Sequence, residues 1–265
     1  MPPDMKGDAS TGLERLWGDG HVRVFISHTS AHRWAATRIQ EHLRGYGVAT
    51  FVSHIDIEPM AEWELEIRRA LLSAHALVAL LTPDFPQSDW TDQEVGVTIG
   101  RGIPVIPVRL GHDPYGFIAK YQAISGSLAD WPSVDRVAYD IFSAMLETEG
   151  IKESMKNMYV NAVRNSPNWI TSNALAQFLP SIRSLTSAQA QTLVEAYNLN
   201  GEVSGSFGFK GSQRHGFSGG LAQHLTRITG EEYRLFPGPG GGVMLGSTRE
   251  LDALWPFGPP EPSVR

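Results

Sequence analysis

The chain has 265 residues, with 22 Lys+Arg against 28 Asp+Glu for a net charge of −6 and 42% hydrophobic residues, so it is long enough for one large domain or two small ones, each with a buried core. It contains no cysteine, which excludes disulfides, thiolate metal sites and cysteine nucleophiles and fits a cytoplasmic protein. No apolar run approaches the roughly 18 residues of a membrane span, and the opening MPPDMKGDASTGLERLWGDG lacks the basic start and apolar core of a signal peptide.

The opening stretch, residues 1–20, reads as a disordered polar tail. From residue 21 strand-like and helix-like segments alternate. HVRVFIS (21–27) is β-branched and aromatic and ends in the polar turn HTSAHR. A helical stretch follows, in which Trp34, Ile39 and Leu43 are expected on one face, and it stops at Gly45 and Gly47. VATFVS (48–53) is the next strand, HIDIEPMA (54–61) a loop, and EWELEIRRALLSA (62–74) a helix. ALVALLT (76–82) is continuously apolar, as a central parallel strand covered on both faces must be. After the loop PDFPQSD comes the helix WTDQEVGVTIGRG (90–102), then the strand IPVIPVRL (103–110), which its two prolines assign to the sheet edge. An irregular stretch around Trp131 and a helix over 138–150 close this part.

Strands alternating with helices imply a flavodoxin-like α/β domain over 21–150, a doubly wound parallel sheet. Ligands bind such sheets outside the carboxyl ends of the strands, so the loops 28–32, 54–61 and 83–89 are where chemistry is expected. Residues 151–235 read as a second, smaller and mainly helical domain. It has helices in SPNWITSNALAQFLPSIRS, in LTSAQAQTLVEAYNLN (opened by a capping box of Thr186 and Gln189) and in SGGLAQHLTRITG, with GEVSGSFGFKG as a short strand or turn. Residues 236–265 read as a Pro/Gly-rich tail. Basic residues number 12 against 20 acidic in 1–150 and 8 against 5 in 151–235, so nucleic acid is not the expected partner. GPGGG (238–242) lacks the GK[ST] of a phosphate loop, and the nine histidines show no metal-ligand spacing.

RVFISHTS at the first strand, IEPMAEW after the second and SDWTDQE after the apolar strand at 76–82 together resemble a TIR domain, over roughly residues 21–147. The likeness runs to bacterial TIR proteins, including those of anti-phage systems. It implies an enzyme that cleaves NAD⁺ at the nicotinamide–ribose bond, giving ADP-ribose or a cyclic or conjugated signalling nucleotide, with NAD⁺ as substrate and no cofactor or metal. The family's W-x-x-x-E pattern maps onto Trp90 and Glu94. Residues four apart share a helix face, so indole and carboxylate are expected side by side, with Glu94 reachable by solvent. A carboxylate there stabilises an oxocarbenium-like state. Trp90 is read first as a core anchor of its helix and second as a substrate contact.

Trp63 follows the family's BB loop, where an aromatic stacks on a substrate ring or packs beneath the loop. Ser27, His28 and Ser30 follow the first strand, where they meet ribose or diphosphate; His28 is read as a hydrogen-bonding residue rather than a base. Glu58, Pro59 and Met60 occupy the loop that mediates TIR–TIR contact, implying a homo-oligomer. Met60 replaces the glycine usual after the proline, which stiffens the loop. The helical domain is expected to receive a protein or ligand trigger. A non-enzymatic TIR scaffold is the alternative function, and a deoxyribosyltransferase-like enzyme a third.

Overall fold

In the computed structural model, which describes residues 14–18, 22–52, 63–211, 219–238 and 242–249, the chain divides into two compact units, Met1–Met155 and Lys156–Arg265. In the first, the β-branched and aromatic segments become β1 (Arg23–Ser27), β2 (Ala49–Phe51), β3 (Ala76–Leu81), β4 (Val105–Arg109) and β5 (Ile124–Ser125). They form one parallel sheet in the order β2-β1-β3-β4-β5. All six residues of β3 are buried, which explains why that segment is apolar without alternation.

Helices α1 (Arg33–Gly45), α2 (Trp63–Ser73), α3 (Thr91–Gly100) and α4 (Trp131–Met145) make the crossovers. One core joins Ile67, Ala70 and Leu71 of α2 and Val95 of α3 to Phe25, Phe51, Leu77, Ala79 and Leu81 of the sheet. The rings of Phe25 and Phe51 stack at 5.4 Å. Helices α1 and α4 pack against each other and bury Ile39 and Leu43 with Val134, Val137, Ile141 and Phe142. Each such side chain contributes roughly 1.5–3 kcal/mol by leaving water.

Several expectations change. Residues 14–17 form a helical turn whose Leu16 and Trp17 enter the core, with Trp17 Nε1 donating to Ser73 Oγ at 2.9 Å, so this part of the stretch assigned to a disordered tail is helical. Trp34 does not share the buried face of Ile39 and Leu43. Five residues from Ile39 it is rotated away, 39% exposed, and packs edge-on against Trp131 at 5.1 Å. β4 is not an edge strand, because β5 pairs with Val108 and Arg109; Pro107 lies before that pairing begins, which is how the proline is accommodated. Helix α4 starts at Trp131 rather than 138, capped by the Asp130 carboxylate accepting from Ser133 N, with Pro132 in its first turn.

Helix α5 (Lys152–Arg164) begins in the first unit and ends in the second, which continues through α6 (Trp169–Ala176), α7 (Ser187–Leu199), α8 (Gly201–Gly205), α9 (Phe207–Lys210) and α10 (Gly220–Thr229). The capping box of Thr186 and Gln189 forms on α7. GEVSGSFGFKG is two short helices rather than a strand, because the Asn200 and Ser206 side chains each accept from a backbone N–H and start one. The Pro/Gly-rich stretch contains an antiparallel hairpin, β6 (Tyr233–Pro237) with β7 (Val243–Ser247); the Asn198 side chain holds Leu245 through both its amide groups.

Candidate functional site

Parallel strands deliver their carboxyl ends to one edge of the sheet, and there β1 ends on Ser27, which is fully buried. Helix α3 begins at Thr91, whose hydroxyl donates to the Phe85 carbonyl at 2.7 Å and fixes the helix start against the loop after β3. That places the first turn of α3 over the end of β1. Ser27 Oγ donates to Glu94 Oε2 at 2.5 Å. Burial pushes the Glu94 carboxyl up to about 7 despite the Ser27 hydrogen bond, which favours the charged form.

Glu94 is 4% exposed, so the expectation that solvent reaches it is wrong. Trp90 is the reverse: at 36% exposure it is no core anchor. The reason is that Trp90 is the N-cap of α3, not a residue of its first turn, so the one-face rule for residues four apart does not carry the indole inward with the carboxylate.

The structure brings Ser27, His28 and Glu94 together at the end of β1. His28 is buried and turns Nδ1 to the Ile26 carbonyl at 3.2 Å, so it serves the backbone of the strand it follows. Ser30 is exposed at the start of a 3-10 turn, Ser30–His32. Trp63 opens α2, and its side chain lies outside the described residues, as do Glu58, Pro59 and Met60.

Two pairs at this edge escaped the sequence reading. Thr29 Oγ1 donates to Asp84 Oδ2 at 2.7 Å, and His32 Nδ1 lies 3.5 Å from the other carboxylate oxygen. Burial opposes ionisation of Asp84, but the hydrogen bond from Thr29, the nearby Thr82 hydroxyl, its own backbone and His32 together hold its pKa below the ordinary value. Tyr115, after β4, donates to Asp92 Oδ1 at 2.5 Å and ties that loop to α3; burial, then Asp92, raises the phenol. Asp84 stands in the loop 83–89 that strand-end reasoning singles out, so a residue-by-residue look at its acids would have found it. Nothing in the sequence pairs Tyr115 with Asp92.

The edge thus holds two carboxylates of opposite character. Asp84 is ionised throughout the neutral range, whereas Glu94 changes charge within it. A carboxyl that titrates near neutrality beside a fixed hydroxyl suits proton transfer or the stabilisation of a developing cation. Among the described residues no cluster of His, Asp and Glu could hold a metal ion, and no helix is long and apolar enough to cross a membrane.

Residues 24–137 match the family model of the TIR domain. Among solved structures, the chain is similar to the TIR domain of the Toll-related receptor TRR-2 from Hydra magnipapillata, at 22% identity and a TM-score of 0.37, covering 47% of this chain and 98% of that one. No curated protein matches the chain. The α/β unit has the TIR-domain fold, a central parallel sheet flanked by helices, followed by an additional helical region.

Proposed function

We propose that the TIR-fold unit cleaves the nicotinamide–ribose bond of NAD⁺, with Glu94 as the carboxylate that stabilises the ribosyl cation. The observation that carries this is the Ser27–Glu94 pair at the carboxyl edge of the sheet. Heterolysis sends the bonding electron pair to the pyridine nitrogen, so nicotinamide leaves neutral and needs no acid. The positive charge passes to the ribose, where a carboxylate in a low-dielectric site is worth far more than in water. Attack by water with loss of its proton gives ADP-ribose, and attack by the adenine ring gives a cyclic product.

A carboxyl near 7 also responds to its substrate. The pyridinium of NAD⁺ is a cation, and an adjacent cation favours the ionised form of Glu94. Substrate binding therefore charges the group that the transition state needs. Homo-oligomerisation through Glu58, Pro59 and Met60, and a protein or ligand trigger received by the helical unit in a bacterial defence setting, belong to the same proposal. They rest on the TIR resemblance.

Purified protein incubated with NAD⁺ and followed for nicotinamide by chromatography tests the reading. Glu94→Gln is expected to abolish release, and a folded variant that keeps wild-type turnover would refute the assignment.

A further inference from the structure

The opposite edge of the sheet, where the strands begin, carries a hydrogen-bond mismatch. Arg23 opens β1, and His75 immediately precedes β3, its neighbour. The Arg23 backbone nitrogen lies 3.2 Å from His75 Nδ1, and Arg23 Nη2 lies 2.8 Å from Nε2. A neutral imidazole has one N–H and one accepting nitrogen. If Nδ1 accepts from the backbone, the Nε2–H faces a guanidinium that only donates. If Nε2 accepts from the guanidinium, the Nδ1–H faces the backbone N–H. Either tautomer sets three donors around one lone pair, and a protonated ring would add a fourth.

Arg101 adds charge to the same place. Its Nη1 donates to the Ala74 carbonyl at 3.0 Å and to that of Leu71, closing the carboxyl end of α2. Burial first, then the charges of Arg23 and Arg101, hold the His75 ring below its usual pKa, while burial and Arg101 lower that of Arg23. Among the described residues no carboxylate pairs with Arg23 or Arg101. The cluster lacks an acceptor, and one bearing negative charge. On the next strand Arg23 is in register with Ala49, which lines an open groove of about 480 Å³ with Arg15, Trp17, Arg44 and Gly47.

We propose that this amino edge binds the phosphate group of a small molecule of nucleotide size, with Arg23, His75 and Arg101 as donors and the groove beside β2 receiving the remainder. A phosphate oxygen accepts from the His75 Nε2–H and the Arg23 guanidinium together, and leaves Nδ1 to the backbone N–H. Charge-assisted bonds of this kind are the stronger class, and the groove is within the range of small-ligand sites. The site is separate from Glu94 and does not depend on NAD⁺ cleavage.

The test titrates inorganic phosphate, and separately ADP, into the labelled full chain at constant ionic strength, following backbone amides and the His75 ring by NMR. Saturable shifts at Arg23, His75 and Ala76 are expected, with the His75 titration midpoint raised by phosphate. Arg23→Gln is expected to weaken binding at least about tenfold, and Glu94→Gln to leave it unchanged. Tighter binding of ADP with shifts reaching Gly47 and Ala49 supports the groove; equal affinity with shifts confined to Arg23 and His75 keeps the phosphate site and overturns the groove's part. No saturable shift with either probe, or the same shifts in Arg23→Gln, overturns the proposal. Should that variant fail to fold, the wild-type His75 midpoint decides alone, and a midpoint unmoved by phosphate rejects the site.

Discussion

Replacing Glu94 by glutamine removes a buried charge and keeps its shape, since the amide oxygen still accepts from Ser27 Oγ. The carboxyl is raised from 4.5 to about 7 in the folded chain. At 1.36 kcal/mol per unit, that shift corresponds to about 3 kcal/mol of native-state penalty for ionising the group. The folded state holds the proton more tightly than the unfolded state. The group's contribution to stability is therefore complete below the unfolded pKa and is lost as pH rises through about 7. Glutamine never ionises. The variant is expected to match wild type at about pH 4.5 and to exceed it by up to about 3 kcal/mol at about pH 8, a gain of roughly 6–12 °C for a unit of this size.

Native-state hydrogen exchange at the β1 and β3 amides, measured on both proteins across this range, reads the α/β unit by itself. A stability difference that stays flat with pH would show that Glu94 is an ordinary solvated carboxylate and that its burial has been misread. Stability and activity are expected to move in opposite directions. NAD⁺ turnover falls by at least about 10²–10³-fold in the same variant if the carboxylate stabilises the ribosyl cation.

Ser27→Ala removes the hydrogen bond that favours the ionised form, so the alkaline rise of the turnover–pH profile is expected to move up by about one unit; a profile that does not move would separate Ser27 from the chemistry. Trp90→Ala, at an exposed position, is expected to change stability by no more than about 0.5 kcal/mol while raising KM, and a large drop in Tm would restore the core-anchor assignment. Gly208→Ala sets a Cβ 2.5 Å from that of Ala176, so α6 and α9 must part at a cost of about 1–3 kcal/mol; chemical denaturation followed in the second unit checks it.

The order of strands and helices was legible because burial writes itself into local pattern. Ala76–Leu81 is apolar at every position because both faces are covered. Trp34 is large and aromatic, yet five residues turn it away from Ile39 on the helix, and angle rather than size decides its exposure. What the sequence could not supply was depth. Whether Glu94 meets water depends on how the first turn of α3 lies over β1, a long-range fact with no local trace. The hairpin β6–β7 was hidden for a similar reason: glycine and proline mark a turn as readily as a loose tail, and only the pairing of Leu235 with Leu245 separates them. The His75 mismatch is invisible without coordinates, since its two nitrogens meet a residue 52 positions away.

Among the described residues the sheet is bounded by three residues of β2 on one side and two of β5 on the other. A visiting strand would find room there for only a bond or two before the template runs out, whereas β3, long and apolar enough to recruit one, is enclosed between β1 and β4. The described edges therefore offer little template for growth by adding strand to strand. A filament joined instead through loops and helix faces, each subunit keeping its sheet to itself, would lack the diffraction repeat of roughly 4.7 Å that continuous cross-strand pairing imposes.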